Sequence, residues 1–453
     1  MTRSLWKLLH GCVMVAATAL LWCGAGFGQY KDYPQTVGKV QTFAFHEIPS
    51  WATVAFDLRG RSEGQTSIGY ISGNGYGYEL TRAWGSVDLR PTKWLNSYAQ
   101  FLDAHALDLP LSATAANMRD SFDVRQMYLE LDVPQTKLFV GRQELRFGGE
   151  RLVGISDWTN TSRTFDAVDG RFGGLNHVDL FSSSVVVVKA TAMDRQNAGF
   201  NFHGAYGSLN TLVAHTTIEP YVFVKALPWV ESQQSLYGTE TEVTTGARVL
   251  GNVPGGFEYV AEGALQRGSY VNDSIHAGAG YVKAGYFASR LGWRPRLLAE
   301  YDYATGNPHR NAERISTFDQ LYPSSHNVFG LVDLFGWQNM EQTRFNLDLR
   351  PATHWTVLLQ EGSLRVANTR DGVYSGSGAV AVKAPSGGFL SNDIGHEFDA
   401  SAKYVYRDYL VVNSGVGHFF PGALMTENKH GTPWTIAYLG LTYRFRVAKT
   451  KQD

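Results

Sequence analysis

Hydrophobic and polar residues alternate with a period of two along most of this chain. In Gln342–Arg350, Thr343, Phe345, Leu347 and Leu349 fall on one face; Gln342, Arg344, Asn346, Asp348 and Arg350 fall on the other. Arg296–Tyr303 sets Leu297, Ala299, Tyr301 and Tyr303 against Arg296, Leu298, Glu300 and Asp302. Ala52, Val54, Phe56 and Leu58 oppose Asp57, Arg59 and Arg61. Near the end, Ala437, Leu439, Leu441, Tyr443 and Phe445 oppose Tyr438, Thr442 and Arg444. Period two marks a strand with two unlike faces, and an apolar repeat at helical spacing is almost absent.

The pattern predicts eighteen strands. The first nine are 51–62, 78–90, 93–106, 121–132, 135–147, 164–173, 176–190, 205–216 and 218–227. The second nine are 241–251, 256–268, 275–288, 293–304, 341–350, 353–366, 394–407, 409–420 and 433–446. Connections after even-numbered strands are short, as at Val133-Pro134, Pro254-Gly255 and Pro351-Ala352; those after odd-numbered strands are long, above all 305–340 and 367–393. Nine long loops thus interleave with eight short turns. An even strand count with turns on one rim and loops on the other predicts an all-β fold, a single transmembrane antiparallel barrel. A soluble sandwich also alternates, but nothing in it demands strict long–short alternation. In lipid every backbone N–H and C=O needs an internal partner, so strands span only by closing on themselves. Around eighteen strands enclose more space than side chains fill, and a water-filled lumen follows unless loops occupy it.

Composition changes the picture at the amino end. Arg3 and Lys7 precede an apolar stretch, Gly11–Cys23, and small residues at Gly24–Gly28, a secretory signal too short to span a membrane. The expected division is a signal peptide at 1–28, a periplasmic lead at 29–49, the barrel at 50–446 and a polar tail at 447–453. Cys12 and Cys23 leave with the signal, so disulfide and thiol chemistry are excluded. Arg3 and Lys7 leave too, so 38 basic residues face 41 acidic ones, a net of −3 that offers nucleic acid no positive field. Trp293, Trp355, Tyr443 and Phe445 lie on the lipid parity at the short-turn rim, as an aromatic girdle requires, whereas Trp51 and Trp94 miss that parity.

Parity places Arg59, Arg61, Arg82, Arg90, Arg142, Arg146, Arg163, Arg171, Arg296, Arg344 and Arg350 on the inner face, with Asp57, Asp88, Glu144, Asp169, Glu262, Glu300, Asp302 and Asp348. A guanidinium fork matches two carboxylate oxygens, so such a set reads either as a path for anions or as a wall braced by its own ion pairs. The densest stretch is 141–172, where the Gly148-Gly149 loop, with Arg151, Asp157 and Trp158, is free to turn into the lumen.

Catalytic chemistry is not legible. The 13 His are scattered, with no H-E-x-x-H, no G-x-S-x-G and no metal-ligand spacing, so neither catalytic residues, cofactor nor metal site is expected. Calcium in an extracellular loop stays open, because Asp and Asn are plentiful there.

The stretch 141–172, with RAWGSVDLRPTKWLNSYAQFLDA at 82–104, TFDQLYPSSHNVFGLVDLFGWQN at 317–339 and GHFFPGALM at 417–425, resembles the alginate-export family of bacterial outer-membrane proteins. The resemblance spans nearly the whole mature chain. It implies a monomeric barrel in the outer-membrane bilayer whose arginine-rich constriction passes an anionic polysaccharide or small anions, and it allows for periplasmic export partners. Its inner basic positions map onto Arg59, Arg142, Arg163 and Arg344, with Arg151 and Asp157 in the loop pattern. The loop 305–340 is expected to act as a lid with a short helix near Asn327–Leu334. Two rival readings are a barrel hydrolase, needing Ser, His and an acid at the rim, and a structural barrel blocked by its own loops.

Overall fold

The structure is a computed structural model that describes residues 41–44, 48–110, 114–232, 235–309, 313–326, 328–407 and 409–448. The expected signal and most of the expected lead, Asn327 and the last five residues lie outside these ranges. Eighteen strands form the wall, numbered here in chain order: β1 (Ala52–Thr66), β2 (Tyr76–Leu89), β3 (Leu95–Leu107), β4 (Asp120–Val133), β5 (Thr136–Gln143) and β6 (Phe165–Gly173). Next come β7 (His177–Val187), β8 (Arg195–Val213), β9 (Thr216–Glu231), β10 (Tyr237–Val253), β11 (Phe257–Tyr270) and β12 (Asp273–Phe287). The circuit finishes with β13 (Arg296–Ala304), β14 (Met340–Leu349), β15 (Trp355–Arg365), β16 (Asp393–Tyr406), β17 (Leu410–Pro421) and β18 (Trp434–Ala448).

Each strand pairs antiparallel with its neighbours in sequence, and β1 closes the ring on β18 from Thr53↔Ala448 to Thr66↔Thr435. Closure satisfies the backbone without an edge. The last strand outruns β17, whose pairing begins at Leu410↔Tyr443; Gln41–Ala44 covers that bare stretch in parallel, from Gln41↔Phe445 to Ala44↔Ala448.

The two faces separate as alternation requires. Arg344 is 4% exposed and its neighbour Phe345 45%; Arg61 is 4% exposed, while Leu58 stands on the outside at 41%. Met127, Leu129, Val140, Val168, Leu265, Val282 and Leu439 continue the outer apolar band. An apolar belt around the whole molecule has no place in water and fits acyl chains. Trp51 and Trp94 sit in rim turns outside any strand, so parity does not govern them, and both are exposed with Trp293 and Trp355 at the same rim.

The connections depart from the expected alternation at two places. The eight turns of one rim are all short, but on the other rim 232–236 and the two residues Val271-Asn272 are short as well. At 232–236 the cause is strand length: β9 and β10 run 16 and 17 residues, so the sheet rises past the rim and closes in a tight hairpin. The expected helix in the long loop is absent from its described part, where 328–334 is turns and bends; a short helix forms instead at Ala423–Glu427.

The core lies inside the barrel. Segment 144–164 and the described parts of 305–339 fold inward and pack Leu145, Leu152, Val153, Phe318, Phe329, Phe335 and Trp337 against wall residues such as Phe165, Phe202, Phe223 and Phe419. The two segments hold each other: Val153 bridges Tyr322, the Gly154 N–H donates to the Tyr322 carbonyl at 2.8 Å, and Ser324 Oγ donates to Glu150 Oε2 at 2.8 Å.

Candidate substrate path

The path begins on adjacent strands. β1 turns Asp57, Arg59, Arg61 and Glu63 inward, and β2 turns Tyr78, Arg82 and Trp84 inward, with Arg59 and Arg82 directly opposed in the ladder. Two like charges at that spacing need counter-charge, which the inward segment 144–164 brings. Asp157 accepts from Arg82 Nη1 at 2.8 Å; Arg59 donates to the carbonyls of Asp157 and Thr159 at 2.8 and 2.9 Å and to Asn160 Oδ1 at 3.1 Å. The Asp157 side chain keeps 50% of its surface exposed. Burial disfavours its charge, but Arg82 and Arg59 outweigh that and hold its carboxyl well below the usual range.

Aromatic rings hold the guanidiniums flat. Arg82 and Arg125 lie over Trp84 at 3.6 and 4.0 Å, and Arg61 lies over Trp158 at 3.7 Å. Trp158 also stacks on His326 at 3.7 Å between ring centroids and meets Tyr438 edge-on at 4.9 Å. A stacked guanidinium keeps its N–H edge for an oxygen acceptor. Arg61 uses it on Glu63 at 2.5 Å, and Arg125 on Glu144 at 2.5 Å. Arg146 completes the group, bonding Glu144 at 2.9 Å and Glu150 at 3.2 Å.

Other expected residues brace the structure. Arg151 reaches across the lumen to pair with Glu300 and Asp302 of β13, and Arg344 joins Glu300 and the Val328 carbonyl, so one acid pair anchors both inward segments. Arg163 precedes β6 and donates to the carbonyls of Gly154, Tyr322 and Pro323 at 2.8, 2.7 and 3.0 Å. Burial lowers that guanidinium to about 10, with Tyr322 and Glu150 opposing. Arg171 pairs with Asp179 at 2.6 Å toward the short-turn rim, where Asp169 also points inward. Arg296 bonds Glu258 at 2.6 Å and Asp348 at 3.0 Å at that rim.

Arg142 is not on the inner face. It pairs across the ladder with Met127 and Asp166, on the same parity as the exposed Val140 and Val168, and so belongs to the outer side of the wall. Its charge is met by Asp166 at 2.8 and 3.3 Å and by the carbonyls of Val124 and Asp194 at 3.0 and 3.2 Å. Parity failed because β5 ends at Gln143: Glu144 and Arg146, two and four residues on, belong to the inward segment and not to the same strand face. Arg350 likewise lies past the end of β14, exposed at the rim with its guanidinium 5.5 Å from the Phe287 ring. Arg125 went unread for the opposite reason. A bulge at Gln100/Phe101 lets Arg125 and Gln126 both turn inward, and no alternation signals two consecutive buried polar residues.

Known structures share the architecture at low identity. Pseudomonas aeruginosa OpdO matches with a TM-score of 0.60 at 12% identity, over 88% of this chain and 98% of that one. Pseudomonas aeruginosa OpdK with vanillate gives 0.60 at 12%, over 88% and 100%. Acinetobacter baumannii OccAB2 gives 0.61 at 8%, over 88% and 99%. No curated protein sequence matches the chain. The alginate-export family, described as "Alginate export", matches residues 50–433, which takes in all but the last strand of the barrel. With a closed wall of 18 strands and an outer face that only a bilayer covers, the chain is an outer-membrane β-barrel that belongs to the alginate-export family.

Proposed function

We propose that the barrel is a channel for a linear anionic polysaccharide of the polyuronate class, which passes by exchanging carboxylates along the arginines of β1, β2 and β4. The observation that carries this reading is the pairing of stacked guanidiniums with counter-acids supplied by a loop: Arg82 lies on Trp84 while it holds Asp157, whose side chain is half exposed. Asp157 and Glu144 then stand in for substrate. A uronate arriving at Arg82 replaces a carboxylate of the same chemistry, so the guanidinium is never left bare, and the exchange avoids the desolvation that makes an unpaired buried charge costly. Several such sites within reach of a repeating polyanion give binding that is shared and renewed from site to site. Family membership supports the same substrate class.

Liposomes carrying the purified barrel and loaded with short oligouronates test the reading. Oligouronate efflux is expected to exceed that of a neutral oligosaccharide of equal length, and Arg82→Gln is expected to lower oligouronate efflux by about tenfold, the worth of one charge-assisted bond. Equal efflux of charged and neutral oligomers contradicts it.

A further inference from the structure

Two acidic clusters stand apart from the path, and they differ in what neutralises them. Glu240, Glu242 and Asp319 bring carboxylate oxygens within 4.8 Å of one another, and Lys225 pairs with both Glu240 and Asp319. Asp120, Asp123 and Asp194 converge within the same 4.8 Å, and among the described residues no ammonium or guanidinium forms an ion pair with any of them. The nearby guanidinium, Arg142, spends Nε and Nη2 on the Asp166 carboxylate at 2.8 and 3.3 Å and reaches only the backbone carbonyl of Asp194.

Asp120 is the telling member. It opens β4 with 1% of its surface exposed, and neither of its carboxylate oxygens has a hydrogen-bond partner among the described residues. The other two acids are held in place by backbone donors. The Val124 N–H bonds Asp123 Oδ1 at 2.5 Å, the Lys189 N–H bonds Asp194 Oδ1 at 2.6 Å, and the Asp194 N–H donates to Asp123 Oδ2. A buried carboxylate to which no cationic group or donor bonds is costly to keep, and this arrangement of oxygens suits a cation.

We propose that Asp120, Asp123 and Asp194 bind calcium and so fasten the 188–194 connection to the start of β4 at the long-loop rim. The donors are all hard oxygens. Calcium accepts six to eight such ligands in flexible geometry and completes its shell with carbonyls and water. The site explains an otherwise long reach. The 188–194 connection joins β7 to β8, yet it crosses the ends of β5 and β6 to touch β4, where Ser121 Oγ donates to the Ala190 carbonyl at 3.4 Å. An ion there ties strands that are not neighbours in the sheet, just above the place where the wall is lowest.

Tryptic cleavage at Lys189–Ala190 in the detergent-folded barrel reads the fastening directly. Calcium at about ten times its dissociation constant, expected near ~10⁻⁴–10⁻³ M for an extracellular site, is predicted to slow cleavage about tenfold relative to EGTA-treated protein. Glu240→Gln should keep this response, because its cluster already holds Lys225. Asp120→Asn should lose it while retaining the heat-modifiable electrophoretic mobility of a folded barrel; if that variant does not fold, Asp194→Asn gives the same reading. Wild-type cleavage that is equal in calcium and EGTA, or calcium protection that survives in the folded Asn variants, overturns the proposal.

Discussion

His326 illustrates how one side chain ties the two inward segments to each other. Its ring lies flat on Trp158, and neither ring nitrogen has a hydrogen-bond partner among the described residues. Burial, aided by the Arg61 charge, pushes its pKa well below the ordinary value, so the seated segment holds a neutral imidazole. Above about pH 6.5 the ring is neutral whether the segment is seated or free, and this histidine adds no pH dependence. Below that, the free ring takes a proton that the seated ring refuses, and seating weakens as the solution becomes more acidic. Asp333 on the same segment works with the opposite sign, since burial and Glu63 raise its carboxyl to about 6 and acid favours its buried form. The His326→Phe variant keeps the ring stack and removes the imidazole, so comparing the two conductance profiles isolates the histidine. Wild type is predicted to open more between pH 7.5 and 5 than His326→Phe does. Identical profiles would refute the assignment.

Elements show where alternation informs and where it misleads. All eighteen strands were legible, because one face must meet lipid and the other water, and a strand carries that demand in every second residue. Leu129 on β4, opposite Val140 on β5, is 53% exposed on the lipid side. Leu129→Arg should therefore destabilise the barrel by about 2–4 kcal/mol in urea unfolding from lipid vesicles, the cost of a cation near the bilayer midplane. Reading failed at strand ends and bulges. Arg350 lies past the last paired residue of β14, Arg142 takes the inner parity only if β5 is extended to Glu144 and Arg146, and Arg125 is hidden by the bulge beside it. The inward segments carry no period at all. Their course is set by single contacts such as Gly330, whose φ of 122° suits glycine and whose added Cβ would clash with Glu397 Oε1. Next to it, the amides of Leu331 and Val332 bond Asp399 and Glu397 of β16 at 3.1 and 2.8 Å. Gly330→Ala should unseat this turn and raise single-channel conductance while the wall stays folded; unchanged conductance would show that the turn does not restrict the lumen.

At the scale of the whole molecule, a lipid-facing cylinder encloses a lumen that its own segments partly fill, and the charges inside are arranged in pairs. Arg151 and Arg344 share Glu300 in a buried brace, whereas Arg61, Arg82 and Arg125 lie stacked on tryptophans and bond Glu63, Asp157 and Glu144. The first set stabilises the barrel, and under the proposed function the second carries the substrate. Single-channel current across a planar bilayer measures passage most directly. Oligouronates added to one side of the wild-type barrel are predicted to interrupt the current in discrete events that lengthen with oligomer length and shorten in Arg82→Gln. Neutral oligosaccharides that interrupt the current as often and as long as the uronates would contradict it.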